Sequence, residues 1–168
     1  EVDELGGVTR RRAWSISGGG CAMVYLLDEE HKDELRKQLK ERFSKLEGVD
    51  GVLDVHEFAR YGLPDPADNP QQADLMLVTG PGYSFDNEHA GTETLTQLSE
   101  QKGTHGHLPE PAYMHALFIA VGAGIKPGTK LDTISNLDVA PTIARLLGVK
   151  LPTAEGRVLT EMLTHKDK

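Results

Sequence analysis

Apolar and polar positions along the 168-residue chain alternate in blocks of strand and helix length. The run CAMVYLLD (21–28) is apolar up to its last residue and predicts a strand, opened by Gly18-Gly19-Gly20 as a bulged or loosened start. Beyond it, Leu35, Leu39, Phe43 and Leu46 recur at spacings of four, four and three. That puts them on one helical face and predicts a helix over 29–46. Asp28 stands where a cap is needed, Glu29 and Glu30 meet the positive end of the dipole, and Gly48 supplies the stop. DGVLDVHEF (50–58) alternates and predicts a half-buried strand, whereas YGLPDPADNPQQ (61–72) is turn chemistry throughout. ADLMLVT (73–79) predicts another strand; Gly80-Pro81-Gly82 turns the chain, with YSF (83–85) as a short pairing continuation.

The second half carries two further signals. HALFIAVG (115–122) is apolar over strand length, the pattern of a central strand covered on both faces. Asp138 then stands as an N-cap with Pro141 tolerated in the first turn, and Val139, Ile143, Leu146 and Leu147 form one apolar face ahead of Gly148. A short last helix is expected over 156–164. Residues 86–104 are polar and without period, so the domain division is expected there: a small α+β lobe over 1–95 and a second portion over 96–168. Alternating strands and helices imply an α/β layered fold, or α+β for the chain in isolation.

Composition narrows the partners. Charged residues make up 26% and the net charge is −8, which disfavours a nucleic acid polymer or an anionic membrane as partner. A phosphate-type substrate would need metal cations to supply local positive charge. The only basic run, Arg10-Arg11-Arg12, reads as a solvated turn, and no apolar run reaches membrane-spanning length. The single cysteine, Cys21, excludes an intrachain disulfide and reads as a core residue. His31, His56, His89 and His165 stand alone among polar neighbours and read as surface residues; Asp86 and Glu88 read as a solvated acidic loop.

Candidate chemistry concentrates in QKGTHGHLPEPAYMH, where His105, His107 and His115 fall within eleven positions. Glycines on both sides of Thr104-His105 let the backbone approach closely and present an imidazole to a fixed point. A self-contained zinc site takes three or four ligands. Three histidines could supply three, yet His115 opens an apolar run and is read more economically as a strand-opening residue. Two readings stay open from the residues alone: a metal-presenting loop, or a polar loop that bonds backbone carbonyls.

The stretch KGTHGHLPEPAYMHALFIAVGAGIKPGTKLDTISNLDVAPTIARLLGVKLPTAEGRVLTEML (102–163) resembles the C-terminal end of the type I phosphodiesterase/nucleotide pyrophosphatase family of the alkaline phosphatase superfamily. The resemblance is carried by Gly-x-His-Gly at 103–106, Met114, the run 117–121, Gly122-x-Gly124-Ile125 with Gly128, and NLDVAPTIARLLGVKLP at 136–152. GGGCAMVYLLD, GVDGVLDVHEF, YGLPDP and ADLMLVTGPGYSF resemble, more loosely, the region between two metal motifs of that family.

The resemblance implies a hydrolase of phosphodiester or nucleotide pyrophosphate bonds with two zinc ions per active site and a Thr or Ser nucleophile. It makes His105 a zinc ligand, leaves Thr104 and His107 to support that ligand from behind or to face the substrate, and suggests an extracytoplasmic location. Phosphonate hydrolases of the same superfamily share a similar Gly-x-His-Gly. The family's nucleophile, its Asp-x-x-x-His and its Asp-His-Gly have no counterpart in this sequence. The chain is therefore expected to be an inactive C-terminal fragment with no catalytic residue of its own. Such a fragment is expected to pair as a homodimer that covers its exposed apolar surface; the contrasting expectation is a non-catalytic domain that self-associates through an exposed sheet edge.

Overall fold

The computed structural model describes residues 11–87, 95–100 and 102–164. The chain divides into two compact units, Glu1–His115 and Ala116–Lys168. The sequence placed that division at 95/96; it falls instead at 115/116, and the Gly-x-His-Gly loop goes with the first unit. The two-layer class is α+β in detail: the sheet is antiparallel, and no parallel strand pair is present among the described residues.

The first unit is a four-stranded sheet, order β1-β2-β4-β3, from β1 (Ala13–Ser17), β2 (Cys21–Leu26), β3 (Val49–Leu53) and β4 (Leu75–Thr79). The period of two along β2 and β4 gives the sheet two apolar faces. Ala22, Val24, Leu26, Leu75 and Leu77 pack with Leu35, Leu39 and Phe43 of helix α1 (Lys32–Phe43). Val78 and Met76 face the other way, with Leu53, Phe58 and Leu108. Helix α1 is pinned as well as packed. The carboxylate of buried Asp74 accepts from Leu26 N at 2.7 Å and lies 3.1 Å from Lys32 Nζ.

Several expectations change here. The helix foreseen over 29–46 is a 3-10 turn over Glu29–His31 followed by α1, which ends at Phe43. Asp28 does accept from His31 N, as its position implied. The alternation over 50–58 is interrupted: β3 stops at Leu53, and Val55–Phe58 form a one-turn helix, α2. The cause is Asp54, whose side chain accepts from His56 N while Glu57 reaches back to Asp54 N, a capping box that competes with the ladder. Strand β1 was not foreseen, and YSF forms no strand; Phe85 N makes one bond to Gly19 O.

The second unit centres on Leu159, Met162 and Leu163, packed with Ile125, Leu131, Ile134 and Val158. Its helix α3 (Val139–Leu146) is capped by Ser135, one turn earlier than foreseen, through a 3-10 turn over Asn136–Asp138. Asp138 serves instead as an internal acceptor, bonding Ser135 N and Arg157 N. Thr142 Oγ1 donates to Asp138 O and accepts from Leu159 N, so the face of α3 turned inward is Pro141, Thr142 and Ala144. The face of Ile143, Leu146 and Leu147 is exposed. The run 115–122 is assigned to no strand and is likewise exposed, with Leu117 at 85%, Ile119 at 76% and Val121 at 93%. The last helix is shortened to a 3-10 turn over Thr160–Met162.

Candidate functional site

The Gly-x-His-Gly loop lies across the β1–β2 turn, glycine against glycine. Gly20 N donates to His105 O at 2.6 Å. A Cβ on Gly20 would stand 2.5 Å from His107 Cγ, and one on Gly19 would stand 2.6 Å from His105 O. Gly106 takes φ +83°, and a Cβ there would run into Gly18 O. Gly18-Gly19-Gly20 is therefore more than a loosened strand start. It is the surface that admits the histidine loop, and neither strand of the contact tolerates a side chain.

The loop's histidines are treated unequally. Thr104 and His105 are exposed residues, with His105 held through its backbone. His107 is half-buried; its Nδ1 lies 3.3 Å from Thr79 Oγ1, and its ring stands edge-on to Tyr113 with centroids 6.4 Å apart at 84°. Thr79, at the end of β4, is buried and also contacts Gly20 O and Tyr83 O, each at 3.1 Å. His107 and Thr79 line a hollow of about 230 Å³ together with Asp50, Arg60, Glu110 and Tyr113, where Arg60 pairs with Glu110 at 3.1 Å. His115, the last residue of the unit, is exposed.

Among the described residues, no group of three or more His, Cys, Asp or Glu is disposed to hold a metal ion. The three clustered histidines thus do not make a self-contained zinc site. His31 and His56 are surface residues, and His31 Nδ1 lies 3.2 Å from Asp28. Glu88, His89 and His165 lie outside the described residues. Arg11 stacks over Trp14 and Arg12 pairs with Asp28 at 2.7 Å, so those members of the basic run are committed locally. Cys21 is half-buried rather than fully buried, and burial pushes its thiol upward, away from thiolate chemistry.

The polar residues most tightly organised here are Thr79 and His107. Sequence reasoning weighed His107 and passed over Thr79, because a threonine closing a strand carries no signal of its own. Compared with known proteins, the chain matches no family model, no curated protein and no solved structure.

Proposed function

We propose that this chain acts by association and has no self-contained catalytic centre: its second unit pairs with another copy through the run 116–121. The observation that carries this is the exposure of Leu117, Ile119 and Val121 in an uncharged run that joins no sheet. Strand-length apolar segments without ladder partners bind other strands. Among the described residues of the unit, Leu137, Ile143, Leu147 and Val149 are exposed as well. Light scattering on the purified chain tests the proposal: a dimer is expected, and a monomer at tens of micromolar overturns it.

A second reading is favoured by the seating of the Gly-x-His-Gly loop, which leaves His105 exposed while its backbone is fixed. Under it, the chain belongs to a zinc-dependent hydrolase of phosphodiester or nucleotide pyrophosphate bonds, and His105 is one ligand. The nucleophile and remaining ligands would come from another segment or polypeptide, since the residues described here do not complete the set. Once the missing nucleophile and ligands are supplied, a phosphonate substrate series separates this from the phosphonate hydrolase variant. The chain alone is expected to turn over no aryl phosphodiester with added zinc; zinc-dependent turnover removed by His105→Ala would overturn the first reading and favour a local site.

A further inference from the structure

Two carbonyl oxygens, one ring nitrogen and one hydroxyl meet beside the glycine turn, and their proton count is informative. Thr79 Oγ1 lies 3.1 Å from Gly20 O, 3.1 Å from Tyr83 O and 3.3 Å from His107 Nδ1. A threonine hydroxyl has one proton and two lone pairs, while carbonyl oxygens only accept. If that proton went to Nδ1, both carbonyls would face the hydroxyl oxygen as acceptor against acceptor in a part-buried site, which is costly. If Nδ1 carries the proton, the hydroxyl accepts from the ring and donates to one carbonyl, so one carbonyl instead of two is left against the hydroxyl oxygen without a proton between them.

We propose that Thr79 fixes His107 with its proton on Nδ1, and that this bond makes His107 the positioning residue of the Gly-x-His-Gly loop. The same loop is tied two residues earlier by Gly20 N to His105 O, and Gly20 O in turn accepts from Thr79 N at 2.9 Å. Thr79, Gly20 and the segment 105–107 thus form one closed circuit of bonds between the end of β4, the start of β2 and the loop. In neutral His107 the remaining nitrogen, Nε2, is then an acceptor, and the ring lines the hollow shared with Asp50, Arg60, Glu110 and Tyr113. The two ring nitrogens therefore differ: Nδ1–H donates to Thr79 and holds the loop, and Nε2 is left as an acceptor. This assignment stands whether the chain associates only or also contributes to a hydrolase.

Nitrogen-15 NMR of the full chain, above the pH at which the ring is neutral, reads the tautomer without any substitution. A protonated Nδ1 and a bare Nε2 are expected for His107; the reverse tautomer, or the mixture of a free imidazole, overturns the proposal. Thr79→Val and His107→Ala should each speed hydrogen exchange at the Gly20 amide by about tenfold, the loss expected for one bond. His107→Asn, which keeps an N–H donor near the position of Nδ1, should restore most of the protection. Equal exchange in His107→Asn and His107→Ala would show that packing alone seats the loop.

Discussion

At the scale of single residues, the glycines around the loop differ in what they must avoid, and that difference is measurable. Gly106 combines φ +83° with a neighbouring carbonyl, Gly18 O, in the space a Cβ would fill. Gly62 has a similar φ of +69° but nothing within 4 Å of its Cβ position. Gly62→Ala should therefore cost only the left-handed penalty of about 1 kcal/mol. Gly106→Ala adds a backbone clash and should cost about 3 kcal/mol or displace the loop. Urea unfolding of the two variants checks this; equal costs would mean that the glycine contact is not tight. The sequence showed glycines flanking His105 and a triple glycine before β2; Gly106 does need its backbone freedom, whereas Gly103 has nothing near its Cβ position. The sequence did not show that the two sets touch, because a long-range glycine–glycine approach leaves no periodic trace. His107 was equally opaque, since its role depends on a threonine 28 residues earlier.

At the scale of elements, Asp54 decides where β3 ends and how the sheet responds to acid. Burial alone would raise its carboxyl, but Lys40 Nζ at 2.7 Å and the His56 N–H at 3.0 Å outweigh that and hold it at about 2. A folded value below the unfolded one, near 3.9, stabilises the native state above about pH 4. That contribution, on the order of 2 kcal/mol, is lost as pH falls through about 2. Asp54→Asn should therefore be less stable than the parent at pH 6, with the gap closing as the pH approaches 2. A pH-independent gap in urea midpoints would assign the loss to the cap geometry instead. The same residue explains why one strand was misjudged. Asp-Val-His-Glu satisfies both the alternation of a strand and the spacing of a capping box, and the box prevails because its bonds are local. Strands β2 and β4 and helix α1 were legible because each buries one face against a neighbour, so their periodicity survives into the structure. Strand β1 was not: Trp14 and Ser15 pair across to Tyr25 and Val24 in a short edge strand with little burial to pattern. The inward face of α3 was misassigned for the opposite reason. Its strongest apolar stripe is turned outward, and polar Thr142 is buried through two hydrogen bonds.

At the scale of the whole molecule, exposed apolar surface and net charge pull in opposite directions, and their balance gives the proposed association a distinctive salt dependence. Each copy carries −8, so two copies repel at low ionic strength. The run Ala116–Val121 is uncharged, and its burial is driven by apolar contact that screening does not weaken. Raising salt from about 0.01 M to 0.15 M shortens the screening length from about 30 Å to 8 Å and should tighten the dimer. An association built from ion pairs would loosen over the same range. Ile119 and Val121 are both well exposed and lie outside the core of the unit, so a Lys at either position would leave that core untouched. Ile119→Lys and Val121→Lys should therefore return the chain to a monomer with an unchanged far-ultraviolet spectrum, whereas Leu98→Lys, an exposed leucine of the first unit, should not. Pairing of the run with itself in a two-fold arrangement closes at the dimer, while head-to-tail use of the same surface continues into larger species. Sedimentation velocity across the salt series separates the two. A species that stops at two copies, strengthens with salt and is lost on either lysine substitution is the expected result. Mass that keeps rising with concentration would replace the closed dimer with open self-assembly through the same run.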